Sequence, residues 1–260
     1  MNRFTLIFCG LAFALGAAPV PAQTNAAKPA APAPPNLVEP LSSTTPDNTR
    51  YVNFPGLLTQ VAEPMAEFKN KPCDIIFIGD SITKRWRDAG APVWAKNYAN
   101  RNVLDFGIDG DKTQNVLWRL NNMDLKTKKP KVAMVMIGTN NGNQNTPVEI
   151  AAGVKAVLAD THRVFPKAKI ILVSLLPNQF FPDKMAQADA IIKNFANNRT
   201  IYWLDLASLM PPVTVTTPDG KTVQSWKGLG DDILHPNATG YQIWAEALNP
   251  LLAKLMAGSN

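Results

Sequence analysis

The chain has 260 residues, 46% of them apolar, which is enough for one large globular domain with appendages. Its formal charge of +6 comes from Lys and Arg interspersed with acids; the dense basic cluster at 126–131 reads as a solvated face, which argues against nucleic-acid binding. Two cysteines, one of them in an N-terminal leader, and two histidines exclude an internal disulfide framework and the usual structural zinc site.

Residues 1–22 have the form of a secretory signal peptide. Arg3 supplies the positive end, 4–18 is an apolar stretch too short for a membrane span, and Val20-Pro21-Ala22 offers a small-residue cleavage site before Gln23. Cleavage there removes Arg3 and lowers the formal charge from +6 to +5. It also removes Cys9, leaving Cys73 as a lone small core residue at the head of a strand. The mature protein is expected to be exported, to periplasm or medium, with no integral membrane span. Residues 23–50 are rich in Ala and Pro and poor in large apolar residues, so they read as a semi-extended tether. A folded domain is expected over 51–258.

Within that domain, apolar strand segments at 74–78, 102–106, 131–137, 168–175 and 200–206 alternate with helical patterns. The clearest helix follows Pro147, with Ile150, Val154, Val157, Leu158, Thr161 and Phe165 at helical spacing and Pro166 as the stop. Further helices are expected over 115–120, 184–195 and 240–256. The pattern predicts a three-layer α/β/α sandwich, flavodoxin-like, on a mostly parallel five-stranded sheet. Ligands of such sheets bind beyond the carboxyl ends of the strands.

Ser81 lies at the end of the first strand, in Ile78-Gly79-Asp80-Ser81-Ile82-Thr83. A hydroxyl at a strand-to-helix turn faces a cleft, and an anion forming beside it meets the positive end of a helix; the same residues would also serve an ordinary turn with a capping Ser or Asp. A serine nucleophile needs a base. His162 sits mid-helix beside Arg163 and reads as structural. His235 stands in Asp231-Asp232-Ile-Leu-His235-Pro-Asn237, where Asp232, three residues upstream, is spaced to accept the Nδ1–H and leave Nε2 for the Ser81 proton. A chance pairing in a polar loop is the plainer reading of these residues alone. Oxyanion donors are offered at two strand ends: 106–110, where Gly107 lets a backbone N–H approach closely, and 138–141, where the Asn140 amide faces the cleft.

Gly79-Asp80-Ser81, Gly107, Asn140 and Asp232-x-x-His235 fall in the order of the four blocks of the GDSL or SGNH hydrolases, a family of serine esterases and lipases that the chain resembles over roughly 73–252. Through 102–110, 115–120 and 137–141 it resembles most the branch of the platelet-activating-factor acetylhydrolase catalytic subunits. The resemblance implies Ser81 as nucleophile, His235 as general base and Asp232 as its orienting carboxylate. It further implies an oxyanion hole made of the N–H groups of Ser81 and Gly107 with the Asn140 amide, and no metal or other cofactor. Asn141 stands where the family often has Asp, a departure shared with that branch. The Thr-rich segment 211–230 departs from it and is where acyl or alcohol specificity is most in question.

The expected activity is hydrolysis of short-chain, chiefly acetyl, esters on a small molecule or glycan. The alternatives are a lysophospholipase or lipase-like hydrolase and a non-catalytic carbohydrate-binding relative. The relatives leave room for a homodimer, which no stretch of this sequence demonstrates. Asn198 and Asn237 fit the glycosylation pattern, although a glycan at Asn237 would crowd His235.

Overall fold

A computed structural model describes residues 42–216 and 219–258. The expected signal peptide and the tether up to residue 41 lie outside the described residues. From Ser42 onward the chain is docked. Ser43 is buried and its hydroxyl donates to Glu149 O at 2.7 Å, while Thr113 Oγ1 donates to Ser43 O at 2.7 Å. The last residues of the expected tether therefore belong to the packed structure, because their backbone groups find partners in it.

In chain order the elements are α1 (Thr49–Asn53), α2 (Thr59–Glu67), β1 (Ile75–Gly79), α3 (Ser81–Lys84), α4 (Ala91–Asn97), β2 (Val103–Gly107), α5 (Thr113–Asn122) and β3 (Val132–Met136). They continue with α6 (Pro147–Val164), β4 (Lys169–Val173), α7 (Pro182–Ile192), β5 (Ile201–Leu204), β6 (Pro212–Thr216), β7 (Thr222–Trp226) and α8 (Ala238–Ala257). The five strands β1 to β5 form one sheet in the order β2-β1-β3-β4-β5, every pairing parallel.

Helices cover both faces of this sheet, which is why its strands are continuous apolar runs. Alternate side chains point to opposite sides. Ile76, Ile78, Leu104 and Val135 pack with α2, α5, α6 and α7, whereas Ile75, Phe77, Met134 and Val173 pack with α4 and α8. The expected three-layer sandwich is thus observed. The chain leaves β1 to one side for β2 and returns to its other side for β3, so the switch point of the topology lies at the carboxyl end of β1.

Local chemistry sets the helix ends. Thr146 and Glu149 form a capping box at the start of α6, with Thr146 N donating to Glu149 Oε2 at 2.7 Å and Pro147 at the first helical position. Trp86, fully buried, is ringed by Tyr241, Trp244 and Tyr98 at centroid distances of 4.6, 5.1 and 5.3 Å. Each such pair adds about 0.5–1.5 kcal/mol beyond area burial, and the cluster clamps the segment after Ser81 onto the helix after His235. The divergent 211–230 segment contains a two-stranded antiparallel hairpin, β6–β7, apart from the main sheet. Among the described residues no helix is long and apolar enough to cross a membrane.

Candidate active site

Strand β1 ends at Gly79, and Asp80, with extended ψ, turns the chain into α3. Asp80 is the cap: its Oδ1 accepts the Ile82 N–H at 2.9 Å. The helix expected after Gly79 is one turn followed by a 3₁₀ turn at Arg85–Arg87. Ser81 opens that turn as its first residue, with its own N–H left over from the helical ladder. Burial pushes the Asp80 carboxyl up to about 7, against the opposing pull of the Ile82 N–H.

The second half of the site is the loop before α8. Gly230 N donates to His235 O at 2.8 Å and Ile233 N to Gly230 O at 3.0 Å, closing a tight turn. Ile233 takes φ +46, a left-handed conformation that a β-branched residue adopts only under constraint. The turn brings the Asp232 side chain back onto His235. Asp232 Oδ1 accepts the N–H groups of Leu234 and His235 at 3.1 and 2.9 Å, and Oδ2 lies 2.6 Å from His235 Nδ1. His235 Nε2 lies 2.8 Å from Ser81 Oγ. With the proton on Nδ1 shared with the carboxylate, Nε2 accepts the serine O–H.

Burial acts to raise the Asp232 carboxyl, but the His235 and Leu234 N–H groups and the His235 ring outweigh it and hold it below the usual carboxylate range. Arg85 adds a cation at 3.6 Å from Asp232 Oδ2. The partner of His235 is Asp232, not Asp231. His162 is exposed on α6, far along the chain from any of these contacts. Asn237 caps α8, accepting the Gly240 N–H at 3.1 Å and donating to Leu229 O at 2.8 Å, so its amide is engaged within the fold.

Asn140 follows β3. Its Nδ2 donates to Asp111 O at 2.9 Å and stands 3.4 Å from Asp80 Oδ2, which places the amide between the Ser81 turn and the loop after β2. Asn141 turns away into a buried network with Thr113, Gln114 and Asn145. Beside Asn140 lies a cleft of about 270 Å³ lined by Thr139, Asn143, Asn178, Phe180, Phe181 and Leu234.

Residues 77–243 match the GDSL-like lipase/acylhydrolase family. The chain belongs to that family. It is 31% identical over 199 residues to platelet-activating factor acetylhydrolase IB subunit alpha1 of Rattus norvegicus, covering 74% of this chain and 81% of the relative. To the alpha2 subunit of Homo sapiens it is 33% identical over 192 residues, covering 72% and 80%. The solved GDSL-like lipase of Bacteroides thetaiotaomicron shares its fold, with a TM-score of 0.56 at 20% identity over 80% of this chain and 98% of that one. This GDSL acylhydrolase is accordingly a carboxylic ester hydrolase.

One expected site residue is displaced. Gly107 does not offer its N–H to the cleft, because that N–H donates to Asp105 Oδ1 at 3.0 Å. A Cβ at Gly107 would collide with the backbone of Asp80 and Lys84, so the glycine serves the close approach of β2 to α3. Along the same loop the Ile108 N–H goes to Gly79 O, the Asp109 N–H to Gln60 Oε1 at 2.9 Å and the Asp111 N–H to Ile108 O at 3.2 Å. The Gly110 N–H has no acceptor among the described residues. Gly110 takes φ +73, and Asp111, next in the chain, is the residue bound by Asn140.

Beneath this loop lies a buried charge network that sequence reasoning missed. Arg119, without solvent exposure, donates to Phe106 O at 2.7 Å and Gly79 O at 3.0 Å, carbonyls at the carboxyl ends of two neighbouring strands, and pairs with Asp111 Oδ2 at 2.8 Å. The Tyr51 hydroxyl donates to the same Asp111 oxygen at 2.7 Å. The signal was present in Trp118-Arg119-Leu120, an arginine flanked by core positions, and in Asp111 directly after the glycine.

Proposed function

We propose that this acylhydrolase is an exported serine esterase acting on short-chain, chiefly acetyl, esters through Ser81, His235 and Asp232. The observation that carries the reading is the continuous chain of hydrogen bonds from Asp232 through His235 to Ser81, at 2.6 and 2.8 Å. Ser81 Oγ attacks the ester carbonyl carbon as His235 Nε2 takes its proton; the developing imidazolium is stabilised by Asp232. The tetrahedral oxyanion is held by the N–H groups of Ser81 and Gly110 and by the Asn140 amide hydrogen that otherwise makes only the long 3.4 Å contact with Asp80 Oδ2. Gly110 replaces the expected Gly107 in this role because its N–H is uncommitted. Collapse expels the alcohol, which receives the proton from His235. Water, deprotonated by the same ring, then releases the acid from the acyl-serine and restores the serine.

An acetyl preference is supported by the acetylhydrolase names of the relatives. The leader expected over 1–22 supports export, and export supports acetylated glycan or other extracellular ester as the substrate. A lysophospholipase or lipase-like activity is favoured by one feature, the exposed Phe180 on the rim of the cleft beside Asn140. Hydrolysis of p-nitrophenyl esters from acetate upward by the chain from Gln23, with Ser81→Ala alongside, tests the reading. Ser81-dependent cleavage confined to short acyl groups supports it, and a rate maximum at long acyl groups transfers the assignment to the lipase-like class. No Ser81-dependent cleavage, together with retained glycan binding, leaves a non-catalytic binding protein.

A further inference from the structure

Arg50 falls in the stretch expected to be tether and Tyr51 at its edge, yet both reach the loop that carries Gly110. Arg50 Nη2 donates to Asp109 O at 2.6 Å. That carbonyl and the Gly110 N–H belong to one peptide unit. No peptide bond among the described residues is cis, and in a trans peptide the N–H points opposite to the C=O. A guanidinium that fixes the carbonyl on one side therefore fixes the direction of the N–H on the other. A cation on the carbonyl also polarises the amide, strengthening its N–H as a donor. Tyr51 holds the other flank, since its hydroxyl donates to the carboxylate of Asp111 at 2.7 Å, and Arg50 Nε stands 4.0 Å from the second oxygen of that carboxylate. A Cβ on Gly110 would run into the Arg50 guanidinium, so the two are in direct contact.

This stretch of chain is itself pinned. Asp47 N donates to Gln114 O at 3.0 Å, Asn115 Nδ2 donates to Asp47 O at 3.1 Å, and the Tyr51 ring is buried against Trp118 at 5.3 Å. The positions of Arg50 and Tyr51 are thus set by α5, and they transmit that placement to residues 109–111.

We propose that Arg50 and Tyr51 are positioning residues of the esterase reaction: Arg50 orients and polarises the Gly110 N–H toward the oxyanion, and Tyr51 fixes the loop through Asp111. The proposal rests on the reading of Gly110 as an oxyanion donor. A donor misdirected by about 1 Å forfeits transition-state stabilisation while leaving ground-state binding of the ester nearly intact.

The test is Arg50→Met in the full chain, with Arg50→Lys, Tyr51→Phe and Gly110→Ala beside it. Arg50 is partly exposed, so its replacement leaves the core unaltered. Expected for Arg50→Met is a fall in kcat of about 10–100-fold with KM within threefold, short of the roughly 10²–10³-fold of a donor removed outright because the Gly110 N–H remains and is only misdirected. The inhibition constant of a trifluoromethyl ketone, which forms a tetrahedral adduct, is expected to rise in the same ratio. The fraction of serine titrated by a fluorophosphonate is expected to match wild type. Arg50→Lys retains the cation and recovers part of kcat; Tyr51→Phe falls less than Arg50→Met. If Gly110→Ala is slow while Arg50→Met keeps the wild-type kcat, the role of Arg50 is overturned and the Gly110 reading stands. Wild-type kcat in both variants likewise overturns the role of Arg50, because alanine keeps the Gly110 N–H; failure of the esterase reading itself shows separately, as the absence of Ser81-dependent turnover. A loss in Arg50→Met explained wholly by a lower titratable fraction also overturns the proposal, since it reports folding alone.

Discussion

The Tyr241 hydroxyl donates a 2.8 Å hydrogen bond to the carbonyl of Ile82. Tyr241 stands in the first turn of α8, directly after the His235 loop, and Ile82 follows the serine. The two residues that meet as Ser81 and His235 are therefore fastened together a second time, behind the cleft, where no solvent reaches either group. Tyr241→Phe keeps the ring in its aromatic cluster but strands a buried carbonyl. The expected cost is about 1–3 kcal/mol in denaturant unfolding, with kcat lowered less than about tenfold because the primary contact remains. A variant as stable as wild type would show that water replaces the hydroxyl.

Removal of charge from Asp232 tests the role proposed for its carboxylate. Asp232→Asn retains an oxygen for the Leu234 and His235 N–H groups, so the turn persists, but the amide can present a donor to Nδ1 and favour the wrong tautomer. By analogy with other triads kcat is expected to fall about 10⁴-fold, with Ser81→Ala at or below that level. Circular dichroism of both variants is expected to match wild type, with a modest loss of stability at neutral pH in Asp232→Asn alone, because the fold favours the charged carboxylate. Activity in Asp232→Asn within tenfold of wild type would remove the carboxylate from the mechanism.

The two glycines after β2 separate fold from chemistry. Gly107→Ala sets a Cβ against the backbone of Asp80 and Lys84, which cannot yield, so its penalty is expected in stability, by several degrees in Tm. Gly110→Ala places a side chain at φ +73 and displaces the flexible Arg50 guanidinium, at a cost of about 1–2 kcal/mol in backbone strain. Its larger expected effect is on kcat, by about 10–100-fold, less than the roughly 10²–10³-fold of a donor removed outright, because alanine keeps the N–H that we propose as donor while the strained turn redirects it. Parallel thermal melts and kinetics of the two variants check the contrast.

The sheet was legible because its strands are short, apolar on both faces and separated by helical periods; all five were located within a few residues. Ser81, Asp232 and His235 were singled out by the order of the motif blocks that resemble the GDSL hydrolases, since spacing alone left Asp232-x-x-His235 open to a chance pairing; their side chains lie in one hydrogen-bonded series, at 2.6 and 2.8 Å. The uncommitted N–H of Gly110 was not. A backbone N–H is identified by what it fails to bond to, and the commitment of Gly107 to Asp105 and of Asp109 to Gln60 are contacts of three-dimensional structure. The docking of residues 42–50 escaped for a related reason: its partners, Gln114 and Glu149 among them, are distant in sequence and bond through backbone groups that composition does not reveal.

Asp105 governs a dependence of stability on pH. It is buried in β2, accepts the Gly107 N–H with one oxygen, and has no partner for the other among the described residues. Burial raises its carboxyl from an ordinary 3.8 to about 7, outweighing the Gly107 N–H and the cations of Arg87 and Arg119. Asp80 is raised to about 7 by burial as well. Below about pH 4 folded and unfolded chains both hold these protons, and the stability is fully present. As pH rises through the range between the two values the unfolded chain ionises first, so it binds fewer protons than the folded one and stability falls, levelling off above about 7. A shift of this size corresponds to at most about 4 kcal/mol per group. Asp105→Asn keeps an acceptor for Gly107 and removes one titration. Relative to wild type it is expected to gain about 2–4 kcal/mol on going from pH 4 to pH 8 in urea unfolding. A difference between variant and wild type that is constant across that range would show that Asp105 ionises in the fold as it does in the unfolded chain.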